Sequence, residues 1–171
     1  MIQTVQLTKE NLRRKNFEPN EFFKSNTAYR LNNDSNPSND INNYPDKSIE
    51  LSILPCLMST ADLMQQVRDL LNAPVDLHCA YRCPKLNELV KGAKNSQHMQ
   101  GLAADFTAPK FGSPEKIVRF LKDKGVVVDQ CFIEDTWVHI SKLLHKDASN
   151  RMMYGFYLFD KKANKRVFKA I

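Results

Sequence analysis

"SQHMQGLAAD", Ser96–Asp105, sets a histidine and an aspartate seven positions apart around a lone glycine and two alanines. The chain holds only four histidines and five glycines, so this grouping calls for a chemical reading. A zinc-type cation needs histidine nitrogens and carboxylate oxygens aimed at one point, and a catalytic site uses three protein ligands plus one open position. His98, from a turn, and Asp105, from the strand that follows, supply two ligands. Gly101 lets the chain reverse between them, and Ala103 and Ala104 let neighbouring backbone lie close. The third ligand has to come from elsewhere. His139, in "TWVHIS", is the best placed, because a hairpin there can pair beside "LAADF"; His78 and His145 are weaker choices. The competing reading is that H-x6-D is a chance spacing and His139 an ordinary satisfied strand residue.

Outward from this stretch, helical and strand-like patterns alternate. "VDLHCAYR" alternates like a strand, "CPKLNELVKG" reads as a short helix closed by Gly92, and "LAADFTA" reads as a second strand with small residues inward. "GSPEKIVRFLKDKG" is a punctuated helix: Ser113 caps, Pro114 fits the first turn, and Gly125 stops it. "VVVDQCFIEDTWVHISKL" predicts a hairpin turning at Glu134 and Asp135. Upstream, Leu54, Leu57, Met58, Ala61, Leu63, Met64, Val67, Leu70 and Leu71 recur at helical spacing, ending at the Pro74 breaker. Helices mixed with mostly antiparallel strands make the fold class α+β.

The 171 residues, 42% of them hydrophobic, suffice for one core and are too few for two ordinary domains. One domain over 1–171 is therefore expected. Residues 30–48, rich in Asn, Asp, Ser and Pro, predict a long surface loop that separates an N-terminal arm from the core. Residues 152–171 predict a basic C-terminal hairpin, its turn carrying Lys161, Lys162, Lys165 and Arg166, with Lys169 beyond.

No apolar run is long enough to span a membrane, and the N-terminus lacks the apolar stretch of a secretory signal. The expectation is synthesis in the cytoplasm without a signal peptide. Cys56, Cys79, Cys83 and Cys131 have no C-x-x-C spacing; they read as free thiols, mostly small core hydrophobes, none of them a metal ligand. A net charge of +6 draws the protein toward polyanions without choosing among them. No basic motif interleaved with aromatics occurs, so nucleic-acid binding is a remote reading.

Two segments together carry a family resemblance. "YRCPKLNELVKGAKNSQHMQGLAADF", Tyr81–Phe106, followed by "DQCFIEDTWVHIS", Asp129–Ser141, resembles the M15 zinc peptidases, in particular their phage and bacterial D-Ala-D-Ala carboxypeptidase-like group, with its S-x-H-x-x-G-x-A-x-D pattern and later W-x-H. "FEPNEFFKSNTAYR", Phe17–Arg30, is similar to that group's N-terminal segment. The resemblance implies a Hedgehog/DD-peptidase-like fold with its core at about 17–151, a zinc ion, and cleavage of cell-wall peptides containing D-amino acids. Matched by position, His98, Asp105 and His139 are its implied metal ligands, while Arg82 and Ser96 help to hold substrate. A salt bridge from Arg82 to the core is the competing reading.

The same resemblance points to Glu134 as the general base, because the group carries a glutamate after the strand that begins Asp-Gln. Here Glu134 precedes His139 by one residue fewer than the group's usual six. Asp135, four before His139 and two before Trp137, would share their face in an uninterrupted strand, so both carboxylates stand as candidates. Either is also an ordinary acidic turn residue, and Trp137 reads first as core packing. The implied function is a zinc-dependent peptidoglycan peptidase, either a D,D-carboxypeptidase or an L-Ala-D-Glu-type endopeptidase. Without a signal peptide, such an enzyme suits a phage lysin or a virion component reaching the wall after release. The alternative is a catalytically silent M15-like module that binds the wall or builds a phage particle. Oligomeric state and the bond cleaved are left open by the sequence.

Overall fold

The structure is a computed structural model that describes residues 8–33, 41–144, 149–160 and 165–171. The apolar stripe upstream of the motif lies on one long helix. After two short 3-10 helices, Lys9–Leu12 and Pro19–Phe22, the chain forms α1 (Asn26–Asn32), then α2 (Lys47–Leu71). Leu54, Leu57, Ala61, Met64 and Val67 are completely buried along α2, as steps of three and four residues require for one side of a helix. The helix runs through Pro55 and ends at Asn72, which takes a left-handed conformation with φ 44°. Among the described residues no helix is long and apolar enough to cross a membrane.

Six strands form one sheet: β1 (Asp76–Cys79), β2 (Ala103–Thr107), β3 (Gln130–Glu134), β4 (Trp137–Ser141), β5 (Met153–Asp160) and β6 (Lys165–Ala170). Their spatial order is β1-β2-β4-β3-β5-β6. Every neighbouring pair is antiparallel except β3 and β5, which run parallel. The class is α+β with a mostly antiparallel sheet, as the sequence predicts. Two further α-helices among the described residues are α3 (Pro84–Leu89) and α4 (Pro114–Asp123). Ser113 caps α4 by accepting from Lys116 N–H.

Strand alternation sorts the side chains between two faces. Leu77, Ala104, Phe106, Cys131, Val138 and Ile140 join the hydrophobic core, on which α2 and α4 pack. The other face carries Asp105, Phe132, Glu134, Trp137 and His139, and this is the face of the candidate site. A bulge at His78 puts Cys79 there too, because the β1–β2 register moves from Leu77↔Phe106 to Cys79↔Asp105.

Several local expectations are corrected. The predicted strand over "VDLHCAYR" is shorter, ending at Cys79. α3 stops at Leu89, and the left-handed residue behind it is Lys91, with φ 53°, rather than Gly92. Gly92 serves close approach instead: a Cβ there would stand 2.2 Å from Asn87 Oδ1. The hairpin turns at Asp135 and Thr136, because Glu134 is the last residue of β3 and pairs with Trp137.

The segment 30–48 is not one surface loop. Residues 30–32 belong to α1 and 47–48 to α2, and Ile41 and Asn43 are buried between them; residues 34–40 lie outside the described residues. Asn43 donates to the carbonyls of Phe23 (2.8 Å) and Tyr81 (2.9 Å) and accepts from Cys83 N–H (2.8 Å). Nor is the N-terminal segment a detached arm. Leu12, Phe17, Phe22 and Phe23 enter the same core as α2, and Tyr81 N–H donates to Phe22 O at 2.9 Å. Side-chain patterns of polar loops do not reveal such backbone ties, because one buried amide group satisfies three distant chain positions at once.

At the other end, Asp129 is fully buried and receives Arg151 through Nε (2.9 Å), Nη2 (2.6 Å) and its backbone N–H (3.1 Å). This pair brings the chain back beside β3, and Met153 N–H donates to Asp129 O at 3.1 Å as the parallel pairing starts. The two C-terminal strands form the predicted hairpin; its basic turn, with Lys161 and Lys162, lies outside the described residues.

Candidate metal centre

The chain before β2, Ser96–Leu102, forms a tight turn that rests on α2. Gly101 takes φ +71°, and a Cβ there would lie 2.9 Å from Leu57 Cγ and 3.1 Å from Ile53 Cγ2. Thr60, from the same helix, donates its hydroxyl to Gly101 O at 2.8 Å. The glycine therefore meets two demands, a left-handed backbone and contact with the helix. On the other side, Arg82 N–H donates to His98 O at 3.2 Å, tying the turn to the chain after β1.

From this turn His98 reaches the sheet face, where β2 presents Asp105 and β4 presents His139 directly opposite it in the register. Their reactive atoms converge. His139 Nδ1 lies 2.8 Å from Asp105 Oδ1, His98 Nε2 lies 3.2 Å from the same oxygen, and the two nitrogens are 3.2 Å apart. All three residues are buried. A tetrahedral zinc with bonds of about 2.0–2.1 Å sets its ligands roughly 3.3 Å apart, so the triangle, at 2.8–3.2 Å, is close to the size needed for three of the four positions. His98 Nδ1–H donates to Ala80 O at 2.8 Å, which turns Nε2 toward the aspartate and holds the ring in place.

Electrostatics favour opposite charges here. Burial by itself would lower the His98 pKa, but the Asp105 carboxylate outweighs it and pushes His98 up to about 10. Burial would raise Asp105; His98 and the hydrogen bond from His139 instead hold its carboxyl well below the usual carboxylate range. A cation belongs beside Asp105, whether protons on imidazole or a metal ion in their stead.

Two further potential ligands flank the triangle. Cys79 Sγ lies within 4.8 Å of ligand atoms on His98 and Asp105, and a Glu134 oxygen lies within 4.8 Å of ligand atoms on Asp105 and His139. Glu134 shares the His139 face because it pairs with Trp137 across the two-residue turn. Asp135 occupies the turn with φ 52°, so the strand parity suggested for it with His139 does not hold: parity counts only within an unbroken strand. A bulge, which composition does not reveal, brings Cys79 beside the triangle. All four cysteines are free.

The cluster opens into a cleft of about 1450 Å³ whose walls include Arg82, Ser96, Glu134, Asp135, Trp137 and Arg151. Arg82 Nη2 stands 3.4 Å from Asp105 Oδ2, the salt bridge that competed with a substrate role. Trp137 is part-buried at the wall, and its indole N–H has no partner among the described residues. His78 Nε2 contacts Thr107 Oγ1 at 3.1 Å instead of joining the triangle; His145 lies outside the described residues. Gln97, next to His98, donates to the buried Asp129 at 3.0 Å, so the Asp129–Arg151 pair also ties down the turn that carries His98. The buried aspartate and its arginine, 22 residues apart, gave no sequence signal as a pair.

Two imidazoles and a carboxylate converging in a cleft on an α+β sheet make a donor set that could hold a zinc-type ion. Residues 15–141 match the family model of Peptidase M15, and the chain belongs to that family. The family comprises peptidases that are in general zinc-dependent and act broadly on peptides containing D-alanine. No curated protein matches the chain.

Proposed function

We propose that the protein is a zinc-dependent peptidase of cell-wall peptides containing D-amino acids, with His98, Asp105 and His139 as metal ligands. The observation that carries this reading is the triangle of three buried ligand atoms 2.8–3.2 Å apart in a chain of the M15 family. When bound, such an ion supplies Lewis acidity, polarising a carbonyl and acidifying a water molecule. Glu134, whose carboxylate approaches both Asp105 and His139, is the general base: it takes a proton from the attacking water and passes it to the leaving amine. Arg82 Nη2 approaches Asp105 Oδ2 at 3.4 Å, and its guanidinium on the cleft wall suits a substrate carboxylate. Ser96 offers a hydroxyl on the same wall. Trp137, with its buried indole N–H, limits water at the cleft.

Hydrolysis takes the form of a D,D-carboxypeptidase or an L-Ala-D-Glu-type endopeptidase, and action on the wall suits a phage lysin or virion component. The whole chain, 1–171, serves as one domain in this reading. Purified protein incubated with peptidoglycan, with and without a chelator, tests the reading, and mass spectrometry of the released muropeptides identifies the bond. Chelator-sensitive release of peptide or D-alanine is expected. Bound zinc without hydrolysis would leave the silent wall-binding module as the better account.

A further inference from the structure

The ring of His98 is held by a hydrogen bond to Ala80 O, while a different device bears on His139. Phe132 lies directly opposite His139 in the β3–β4 register, and the two rings stack with centroids 4.7 Å apart and planes at 22°. Phe132 is itself wedged. Tyr157 of β5 meets it edge-on at 4.9 Å and 84°, and Phe168 of β6 at 6.3 Å and 76°. Tyr157 and Phe168 also pack on each other, at 5.5 Å and 64°. The three rings form a closed set beside the imidazole, in the edge-to-face geometry that aromatic pairs prefer.

Gly155 makes the arrangement feasible. It pairs with Phe132 across the parallel β3–β5 ladder, and a Cβ there would stand 2.7 Å from Phe168 Cζ and 2.2 Å from Lys169 O. The ring of Phe168 thus covers the space that a side chain at 155 would fill. Both strands that supply this packing lie beyond residue 141, where the family match ends.

We infer that the C-terminal hairpin is a positioning device for the metal site: Phe168 and Tyr157 wedge Phe132, and Phe132 sets the plane of the His139 imidazole so that Nδ1 points at Asp105 and His98. The inference rests on His139 being a ligand, as proposed above. An imidazole free to rotate about its side-chain bonds loses entropy when it ligates; a ring already stacked in place loses less. Hydrogen-bonded groups that orient a ligand typically change metal affinity about 10–100-fold, and a stacked ring is expected to act toward the lower end.

The test measures zinc affinity of the full chain by competition with a chromogenic chelator. Phe132→Leu keeps an apolar side chain and removes the flat ring, and should weaken zinc about tenfold. Phe168→Ala should weaken it in the same direction, and Phe132→Tyr, which keeps the ring, should bind within about twofold to threefold of wild type. A core variant remote from the cleft, Ile117→Val, provides the control for lost stability. Wild-type affinity in Phe132→Leu and Phe168→Ala, or a loss matched by equally destabilised controls, overturns the inference. If these variants do not fold, the wild-type protein decides: stacking requires upfield ring-current shifts of the His139 carbon-bound protons in NMR spectra, and ordinary shifts overturn the proposal. A wild-type chain that takes up no zinc defeats the functional reading itself, a result distinct from variants that bind as well as wild type.

Discussion

Glu134 and Asp135 differ by one position in sequence and by a change of role in space. Glu134 ends β3 on the His139 face, whereas Asp135 sits at the turn with a left-handed backbone. Glu134→Gln is therefore expected to keep zinc and fold while lowering turnover by about 10²-fold to 10⁴-fold, the range for losing an acid–base group. Asp135→Asn is expected to be mild; steady-state kinetics on a muropeptide beside zinc analysis checks both. The reverse ranking would falsify the assignment of Glu134. Gly101 belongs to the same scale. Gly101→Ala places a Cβ against Leu57 and Ile53 at φ +71°, a strain of about 1–3 kcal/mol. Urea unfolding of the metal-free variant should show that loss, and zinc affinity should drop with it, since the same turn presents His98.

Between elements, buried polar groups do the fastening. Asn43 satisfies backbone at Phe23, Tyr81 and Cys83, joining the N-terminal segment to the chain just before α3. Asn43→Leu leaves these groups without their amide partner and is expected to cost at least about 2 kcal/mol, measured as a lower urea midpoint. Asp129 plays the corresponding part on the other side, accepting from Gln97 of the metal turn and from Arg151 before β5. Arg151→Ala should weaken zinc binding without abolishing it, because Gln97 keeps its bond while the buried carboxylate loses its counter-charge. Chelator competition reads this directly, and unchanged affinity would show that the clamp does not reach His98.

For the molecule as a whole, the buried charges set a pH dependence. His98 is raised from 6.5 to about 10 by Asp105. Its contribution to the metal-free fold is fully present below pH 6.5 and is lost as pH rises toward 10. Asp105 is lowered, so its contribution is present above about pH 4 and is lost on further acidification. The metal-free protein should thus melt highest between about pH 4 and 6.5 as far as this pair decides, and His98→Gln should flatten the alkaline decline. Zinc uptake at pH 7 should release about one proton from His98. Calorimetric titration in two buffers of different ionisation enthalpy measures that proton, and identical heats would contradict it. Stripping the metal should also lower the melting temperature, as removal of any ligand specific to the folded state does.

The sequence by itself determined the class of fold, the long α2 stripe, the capped α4, and the closeness of His98 and Asp105, because periodicity, capping residues and the H-x6-D spacing are local properties of a chain; His139 joined them as a candidate from its hairpin and through the family resemblance. It also carried the M15 resemblance, which the family match over 15–141 bears out. What only the tertiary structure decided depends on pairing between distant segments. The two-residue turn fixes which acidic side chain faces His139. A bulge brings Cys79 to the site. Asn43 and Asp129 find partners 20 or more residues away, and Phe132 acquires its wedge only when β5 and β6 join the sheet. None of these has a local signature, because register and buried hydrogen bonding are settled by what the whole core leaves unsatisfied, not by the residues next along the chain.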